Sequence, residues 1–439
     1  MNIKQKRLLT ISIYLLLIFS PLIVFIVFPM PAGRDFWRDF SVVLGFVGLS
    51  MAGMQFVPTA RLRIFSDLFD MDHLYKMHHY FSVVSIFLVA LHPVMLVIIN
   101  PNTLLLLNPI TAPWRAQAGI IGLAGLLLIG ITSVLRLEVK LGYNAWHFLH
   151  DILAMAIAAF ALIHIFKVNY YTSAPAMRVV WIFQAVLWLG MMVYMRIIKP
   201  LLMLKHPFIV DKIITETPDT WTLVLKPDGH DGYDFNAGQV AWININKSPF
   251  SLHRNPFSIS GSAHRKEELR FSIKSLGDFS SSIGDLKGGE RVYVDGPFGS
   301  FSLDNPRTQK GLVLLAGGIG SAPIMSILHS LVDSQDKRPV YLFYGNYDEA
   351  SIIFKDELEK LKKRLDLKVV HVLENPPKGR AYEKGFITRS LLEKNLPEGR
   401  NQFYYFVCGP LPMIDAMQRH LMEMGVPDMQ ITTEKYEMA

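Results

Sequence analysis

Long apolar runs dominate the first half of this chain, whereas short alternating runs dominate the second half. A helix that crosses a bilayer needs about 20 predominantly apolar residues. Six runs in the first half reach that length, and we predict that all six span a membrane. The first run is too long for a signal-peptide core and is expected to be retained. The predicted spans are about Leu8 to Met30, Phe40 to Val57, Met77 to Ile99, Ala118 to Leu135, Ala145 to Phe166 and Val179 to Leu204.

The pattern changes after about residue 204, where charged residues occur throughout and the apolar runs become short. The runs WTLVLK, AWINI, LRFSIK and RVYVDG, separated by Gly, Asp and Pro, are typical of an antiparallel barrel. From Gly311, the runs GLVLLA, VYLFYG, LKVVHVL and FYYFVCG alternate with helical segments, which is typical of a parallel α/β sheet. We therefore predict a six-helix membrane bundle over 1–204, a β-barrel domain over 205–305 and an α/β domain over 306–439.

Composition supports a membrane protein, because 51% of the residues are hydrophobic and only 18% are charged. The net charge of +7 does not indicate nucleic-acid binding, since the basic residues are dispersed and many flank the apolar runs. The single cysteine, Cys408, excludes an internal disulfide framework and a thiolate-rich metal site. Its position suits a reduced, cytosolic compartment.

Basic residues at the ends of the spans predict the orientation of the bundle. An even number of spans places both termini on one side, where eleven basic residues lie against five on the other side. The excess of basic residues on the cytoplasmic side of membrane proteins then predicts that both termini and the second half are cytosolic. The eleven are Lys4, Lys6, Arg7, Arg61, Arg63, Lys76, Arg136, Lys140, Arg196, Lys199 and Lys205, and the five are Arg34, Arg38, Arg115, Lys167 and Arg178.

Half of the 14 histidines lie within the membrane half, between residues 73 and 164. His78 and His92 are separated by 14 residues on the third span, and His150 and His164 have the same separation on the fifth. At about 100° per residue, this spacing puts both members of a pair on one helix face, about 21 Å apart along the axis. Because the third and fifth spans run in the same direction, His78 should lie level with His150 near the inner face. His92 should lie level with His164 near the outer face.

Imidazoles in an apolar bundle are costly unless a partner satisfies them. Zinc usually needs further protein ligands, and the sequence offers no Cys, Asp or Glu at the right depth. Haem iron takes two axial imidazoles and brings its own equatorial nitrogens, so two bis-histidine haems are the economical interpretation. The alternative for a single histidine is a hydrogen bond between helices. His73, His79 and His147 keep such a structural interpretation, as loop or interface residues.

The segments HRNPFSIS, over 253–260, and IKSLGDFSSSIGDL, over 273–286, are candidates for flavin binding. Phe257 offers an aromatic surface, Ser258 a hydroxyl for the reactive ring nitrogen, and Arg254 a charge-assisted contact. Gly277 and the serines from Ser280 onward open a predicted helix whose first amides suit a phosphate. The alternative for Pro-Phe-Ser is an ordinary turn.

A glycine-rich turn in LVLLAGGIGSAPIMSIL, over 312–328, stands between a predicted strand and a predicted helix. Backbone approaches a dinucleotide pyrophosphate in this context. Pro323 stands where the common pattern has a third glycine, and a turn without a ligand is the alternative. The segment FVCGPLPM puts Cys408 and Gly409 at another strand end, where sheets of this kind bind ligands. The alternative there is a small buried cysteine.

Together these motifs resemble those of the ferric reductase and NADPH oxidase family over nearly the whole chain. The first half is similar to a ferric reductase-type transmembrane domain, and the second half resembles the ferredoxin-NADP reductase fold. The resemblance implies two haem b groups, one on His78 and His150 and the other on His92 and His164. It implies catalytic roles for Ser258, Cys408 and Tyr436, with Tyr436 stacked on the flavin. The residues that it implies for FAD are Pro256, Phe257, Ser258, Gly277 and Ser280, beside Arg254, and those for the nicotinamide nucleotide are Gly318, Gly320, Pro323, Cys408, Gly409 and Pro410.

The resemblance implies that cytosolic NADPH or NADH reduces FAD, which passes single electrons through two haems to an outer acceptor, either a ferric chelate or dioxygen. The choice of nucleotide stays open, because Tyr347, Asp348 and Glu349 stand where relatives often carry an Arg suited to a 2′-phosphate. Two other classes remain open. One is a membrane-anchored flavin reductase without haem that serves a quinone or a protein, and the other is a non-catalytic haem-binding or assembly protein. Membrane lipid is an expected partner, and the oligomeric state is left open.

Overall fold

The computed structural model divides the chain into two compact units, Met1–Pro200 and Leu201–Ala439. The residues that the structure describes are 3–66, 68–69, 71–108, 110–136, 138, 142–251, 255–303 and 310–435.

Helices build the first unit. They are α1 (Ile3–Val27), α2 (Phe36–Met54), α3 (Phe56–Thr59), α4 (Arg63–Ser66), α5 (Met71–Ile99), α6 (Trp114–Val134), α7 (Tyr143–Val168) and α8 (Pro175–Val193), and a π turn joins α8 to α9 (Lys199–Leu204). Within the described residues, six helical spans are long and apolar enough to cross a membrane, namely Gln5–Val27, Phe36–Thr59, His73–Ile99, Trp114–Val134, Ala145–Val168 and Pro175–Leu204. The predicted number and order of spans are therefore confirmed.

Local chemistry determines where several of these helices begin and end. Asp35 is extended and its side chain accepts a hydrogen bond from the backbone N–H of Arg38 at 3.0 Å, which caps the start of α2. Pro175 occupies the first position of α8, where a missing N–H has no cost. Asn169 adopts a left-handed conformation with φ of +51°, which ends α7.

Within the bundle, α5 packs mainly along α2, and α7 packs mainly along α6. Gly48 permits close approach of α2 to α5, because a Cβ there would lie 2.9 Å from the Cβ of Leu88. Buried Leu126 and Ile129 of α6 pack with buried Ile157 of α7, and side chains of α5 join this cluster. The cluster lies along the sequence between the two predicted histidine levels, so an apolar layer separates them.

The second unit contains two six-stranded sheets. Its strands are β1 (Phe208–Thr217), β2 (Thr220–Pro227), β3 (Val240–Ile245), β4 (Asn255–Ser258), β5 (Leu269–Lys274), β6 (Arg291–Phe298), β7 (Leu312–Gly317), β8 (Val340–Asn346), β9 (Leu367–Leu373), β10 (Glu383–Lys384), β11 (Tyr404–Gly409) and β12 (Ile431–Lys435). Its helices are α10 (Asp278–Ser281), α11 (Ser321–Asp333), α12 (Lys355–Leu361), α13 (Arg389–Asn395) and α14 (Leu411–Glu423).

The first sheet is antiparallel with the order β4-β3-β6-β1-β2-β5, and a bridge between Ile259 and Phe271 links its two edges. It is therefore closed into a barrel, as predicted. The second sheet is parallel with the order β10-β9-β8-β7-β11-β12. The chain runs from β7 to β8 on one side and returns to β11 on the other. The order thus reverses between β7 and β11, which is where sheets of this kind bind ligands.

One polar side of α11 joins the barrel to the parallel sheet within the second unit. The buried hydroxyl of Ser326 donates to the carbonyl of Gly261 at 2.7 Å and accepts from the N–H of Gly238 at 3.2 Å. About two turns further along the same helix, Asp333 accepts from Arg265 Nε at 2.8 Å. These contacts satisfy buried backbone groups of the barrel, so they hold the two lobes in a defined arrangement.

Replacing Ser326 with alanine should destabilise this junction, because the substitution leaves the buried N–H of Gly238 and the carbonyl of Gly261 without their partner. We expect the melting temperature of the second unit to fall by roughly 2–12 °C, measured by thermal unfolding of the full chain. Ser334→Ala is the matched control, since its hydroxyl bonds only to the carbonyl of Leu331 in the same helix. An equal shift in both variants would contradict the bridging role.

Candidate functional site

His78 of α5 and His150 of α7 face each other within the bundle. Their ring centroids are 6.1 Å apart, with the ring planes inclined by 57°. The ring of Trp146 lies 5.2 Å from that of His150, and His150 Nδ1 is 3.4 Å from the hydroxyl of Ser133. The structure therefore brings together two histidines that the 14-residue spacing predicts to be level.

The separation of these two rings fits a shared metal ion. Two imidazoles that bind one ion from opposite sides, with bonds of about 2.0 Å and nitrogens about 1.1 Å from the ring centroids, place the centroids roughly 6 Å apart. The observed 6.1 Å matches this value. Within the described part of the chain, no third histidine, cysteine or carboxylate joins His78 and His150 to complete a metal site. The donor set thus suits an ion whose other ligands come from elsewhere, as in a haem.

Hydrogen bonds to backbone carbonyls hold the rings of His92 and His164. His92 Nδ1 is 2.9 Å from the carbonyl of Ser41, and His164 Nδ1 is 2.6 Å from the carbonyl of Arg115. A carbonyl can only accept, so the proton of each ring is on Nδ1 and the lone pair is on Nε2. Metal-binding histidines usually have this arrangement. No residue within the described ranges is bonded to either Nε2.

Glycines make room for the rings of the outer pair. A Cβ on Gly45 of α2 would lie 3.2 Å from Cγ of His92, and one on Gly119 of α6 would lie 2.7 Å from Nδ1 of His164. Each helix that supplies the accepting carbonyl therefore also supplies a glycine against the ring. Sequence reasoning missed these supporting residues, because it could not tell which helices are neighbours.

The other histidines on these helices have different surroundings. His79 is exposed, with its ring 5.5 Å from that of Tyr80. His147 Nδ1 lies 3.4 Å from a carboxylate oxygen of Asp151, which also pairs with Arg196. Neither arrangement resembles the facing rings of His78 and His150.

The predicted flavin residues Pro256, Phe257 and Ser258 lie on β4, where Ser258 is buried opposite Val240 of β3. The ring of Phe257 stacks on that of Phe279 in α10, with centroids 5.9 Å apart and planes inclined by 20°. The structure therefore brings the Pro-Phe-Ser segment together with the segment after Gly277, which are distant in the sequence.

The helix predicted after Gly277 is present and short. It comprises one α turn, α10, followed by a 3₁₀ turn. The hydroxyl of Ser280 accepts from the N–H groups of Leu276 and Gly277, both at 2.9 Å. These two amides are already satisfied, so a phosphate could use them only by displacing Ser280.

Two predicted site residues, Arg254 and Tyr436, lie outside the described residues. The last described strand, β12, ends at Lys435, which pairs with Gly409 of β11.

The glycine-rich turn after β7 lies directly against the end of β11. Gly318 has φ of +52°, a left-handed conformation that favours glycine. A Cβ on Gly320 would lie 2.3 Å from the carbonyl oxygen of Cys408 and 2.8 Å from the nitrogen of Gly409. The structure therefore brings together the two nucleotide motifs at the reversal of strand order. Cys408 itself is fully buried.

Proline residues flank this contact on both sides. Pro323 lies in the first turn of α11, where its missing N–H costs no helical hydrogen bond. Pro410 follows β11, and its Cδ would lie 2.9 Å from a Cβ on Gly317. All six residues predicted for the nucleotide thus lie within one small region of the sheet edge.

Tyr344 of β8 supports the glycine turn, and sequence reasoning missed it. Its hydroxyl donates to the carbonyl of Gly318 at 3.1 Å and is 3.0 Å from the hydroxyl of Ser321. Ser321 also donates to the carbonyl of Gly318, at 2.9 Å. Burial raises the pKa of Tyr344 to about 12, so the hydroxyl remains a donor. The apolar strand pattern VYLFYG does not indicate that its second tyrosine is fully buried with a polar partner.

Comparison with known proteins matches both halves of the chain. Residues 44–163 match the family described as ferric reductase like transmembrane component, and residues 314–419 match the oxidoreductase NAD-binding domain. The chain is 36% identical over 161 residues to NADH-cytochrome b5 reductase 1 of Lodderomyces elongisporus, covering 36% of this chain and 53% of that protein. It is 29% identical over 236 residues to the reductase component of propane 2-monooxygenase of Mycolicibacterium smegmatis, covering 52% and 66%. The chain thus spans about half to two thirds of the length of these relatives.

Among solved structures, the chain is similar to a flavohemoglobin from Malassezia yamatoensis that was determined with bound FAD and heme. The TM-score is 0.50 and the sequence identity 18%, over 92% of this chain and all of that chain. At this level of identity, the likeness concerns the fold alone.

These matches and the six membrane spans define the class as an integral membrane oxidoreductase with a reductase module at its C-terminal end. More specifically, the chain joins a ferric reductase-like transmembrane domain to an oxidoreductase NAD-binding domain of the ferredoxin-NADP reductase type. The predicted resemblance is confirmed at this level.

Proposed function

We propose that this protein moves electrons from cytosolic NAD(P)H through FAD and two bis-histidine haem b groups to an acceptor at the outer face. The acceptor is a ferric chelate, or dioxygen that becomes superoxide. When bound, FAD takes two electrons from the nicotinamide and releases them singly, as haem iron requires. The proposed orientation has both termini in the cytoplasm, on the distribution of basic residues.

Two features of the histidine pairs support the haems. The 6.1 Å between the rings of His78 and His150 fits an iron between them. The hydrogen bonds of His92 and His164 to carbonyls turn Nε2 of each ring away from protein partners. Two spans each carry histidines at the same two levels, and the buried Nδ1 of His78 has no hydrogen-bond partner within the described residues, so hydrogen bonding between helices is a weaker explanation than ligation.

The residues around the pairs have roles that follow from their contacts. The carbonyls of Ser41 and Arg115 orient the outer imidazoles and increase their basicity. The apolar cluster around Leu126, Ile129 and Ile157 excludes water between the two levels. A dry interior of this kind suits one-electron transfer groups, whose potentials depend on solvent access.

In the reductase half, Pro256, Phe257 and Ser258 would hold the flavin, together with the segment from Gly277 to Ser280. The nucleotide would lie where Gly318 and Gly320 meet Cys408, at the reversal of strand order. Cys408 and Gly320 are buried at this sheet edge, so water would be excluded from the place where a hydride is transferred. The proposal keeps Ser258, Cys408 and Tyr436 as the residues assigned to the hydride step.

The glycine beside His164 offers a test of the outer haem that leaves the ligand itself intact. Gly119→Ala places a Cβ 2.7 Å from Nδ1 of His164, so the ring must shift from its bond with Arg115. We expect the variant to lose outer haem, with a fall in haem affinity of about 10–100-fold. Titration of apoprotein with haemin, followed by absorbance, measures this. Gly122→Ala on the same helix is the control, because its Cβ would meet only ordinary contacts at 3.6–3.8 Å. Equal haem binding in the two variants would contradict the role of the cleft.

A second candidate is a membrane-anchored flavin reductase that delivers electrons to a quinone or a protein. Two relatives are a cytochrome b5 reductase and a monooxygenase reductase component, and these names indicate a protein acceptor for those proteins. Purified protein with bound FAD and no haem absorbance would establish this candidate and exclude ours.

The acceptor is tested by nicotinamide oxidation in purified protein, with ferric citrate and with dioxygen supplied separately. We expect at least one of them to support turnover, and superoxide dismutase-sensitive reduction of cytochrome c would identify the oxidase. Turnover with a soluble quinone alone would contradict both proposed acceptors.

A further inference from the structure

A charged cluster surrounds Glu349, which follows the end of β8. Strand β8 pairs with β7 and places Gly345 opposite Gly317, so this cluster lies on the same sheet edge as the glycine turn. A local turn fixes the segment. Asp348 Oδ1 accepts from the N–H of Ser351 at 2.9 Å, and the Ser351 hydroxyl accepts from the N–H of Asp348 at 3.0 Å.

Three donors converge on one oxygen of Glu349. Lys355 Nζ, Arg380 Nη1 and the hydroxyl of Tyr382 all donate to Oε1, the last at 3.1 Å. The hydrogen bond from Lys355 is the largest cause that lowers the pKa of Glu349, so the carboxylate is ionised. No residue within the described ranges donates to the other oxygen, Oε2. One oxygen is therefore saturated, and the second remains an acceptor on a side chain that is 21% exposed.

The place of this carboxylate in the fold indicates its ligand. In dinucleotide-binding sheets, an acidic side chain beyond the second strand accepts a hydrogen bond from the adenosine ribose, whereas an arginine there binds the 2′-phosphate of NADP. This chain has both an acidic side chain, Glu349, and an arginine, Arg380, at the site. The contacts between them therefore decide which nucleotide the site favours. Lys355 and Arg380 are already bonded to Glu349, and a phosphate would have to displace both and lie beside two carboxylates, those of Asp348 and Glu349.

His371 is another titratable side chain near the cluster, and it adds no positive charge. The ring of His371 lies 6.0 Å from that of Tyr382 and 5.9 Å from that of Tyr344. Burial lowers the pKa of His371 to about 4, so the ring is neutral at physiological pH. It therefore offers no cation to a 2′-phosphate.

We infer that Glu349 Oε2 accepts a hydrogen bond from a ribose hydroxyl of NADH, and that this protein prefers NADH to NADPH. The inference rests on the proposed function only in taking this sheet edge as the nucleotide site. Lys355, Arg380 and Tyr382 are positioning residues, since they hold Oε1 and leave Oε2 to the ligand.

Steady-state kinetics with the full-length holoenzyme test this preference, with ferricyanide as an acceptor that needs no membrane step. We expect kcat/KM for NADH to exceed that for NADPH by roughly tenfold or more. Glu349→Ala should lower this ratio by about tenfold, mainly through a higher KM for NADH. Glu359→Ala is the matched control on α12, because its carboxylate bonds to Lys362 instead. A wild-type preference for NADPH, or an unchanged ratio in Glu349→Ala, would overturn the inference.

Equilibrium binding separates this inference from the proposed function, since it needs no electron transfer. Calorimetric titration of the full chain should show 5′-AMP binding more tightly than adenosine 2′,5′-bisphosphate. In Glu349→Ala the two affinities should become equal or change order. Arg380→Gln provides a second variant at an exposed position. If Arg380 only positions Glu349, Arg380→Gln should weaken the binding of 5′-AMP. It should not weaken the binding of the bisphosphate. Selective loss of bisphosphate binding in Arg380→Gln would show a phosphate site and overturn the inference, whether or not the protein oxidises either nucleotide.

Discussion

Replacing His164 or His92 with alanine is expected to remove one of two haems and to stop reduction of the outer acceptor. In the proposed arrangement each pair would supply both protein ligands of its iron, so one imidazole could not hold the group alone. We expect the Soret absorbance to fall by about half and acceptor reduction to fall by at least about 100-fold. Anaerobic reduction of the flavin by NADH should stay within about twofold of wild type.

His79→Ala provides the matched control, because His79 is on the same helix as His92 and its exposed ring contacts Tyr80. It should retain both haems and full acceptor reduction. Retention of two haems in His92→Ala or His164→Ala would refute the pairing. Loss of both haems together with flavin reduction would instead indicate that the variant had unfolded, which circular dichroism detects.

The second large effect is expected from Gly320→Ala. The new Cβ would lie 2.3 Å from the carbonyl oxygen of Cys408 and 2.6 Å from its carbon, and no flexible side chain can move to relieve this clash. The turn and the end of β11 must therefore separate, which misplaces the nucleotide. We expect nicotinamide oxidation to fall by about 100-fold, with the haem spectrum unchanged.

Gly288→Ala is the control for this variant, because its Cβ would make only ordinary contacts, 3.5 Å from the carbonyl of Asp211 and 3.8 Å from that of Val210. Stopped-flow absorbance at the flavin band measures the hydride step directly in both variants. A normal rate of flavin reduction in Gly320→Ala would contradict the proposed nucleotide site.

In the membrane half, the periodicity of the sequence was sufficient to predict the individual helices and the face on which their histidines lie. The apolar runs predicted six spans, and the 14-residue spacing placed His78 level with His150, whose rings lie 6.1 Å apart. This worked because helical phase is a local property. The residues that support the outer pair, Ser41 and Gly119, come from other helices, and one sequence does not tell which helices are neighbours.

The second half shows a similar division. Runs such as LRFSIK and FYYFVCG predicted strands that the structure contains, because their apolar patterns are regular. Strand β1, with the sequence FIVDKIITET, was not singled out, since its two irregularities in pairing break the alternation. The helix predicted after Gly277 is a single turn in the structure, and the hydroxyl of Ser280 bonds to the two amides that precede it, which the sequence did not indicate.

The Glu349 cluster shows a further limit of the sequence. Asp348 and Glu349 were visible as departures from a pattern suited to a 2′-phosphate, but Arg380 lies 31 residues beyond Glu349. Only the fold places that arginine on the carboxylate. The choice of nucleotide therefore becomes a definite prediction only with the structure.

The central claim is that electrons from the nicotinamide reach two haems in the membrane half. Anaerobic stopped-flow mixing of purified full-length protein with NADH, with haem content determined on the same sample, tests it most directly. We predict two haems b per chain and a flavin that bleaches before the Soret band shifts to its reduced position. Protein with well-populated FAD and no haem, or with haem that stays oxidised after the flavin is reduced, would contradict the claim.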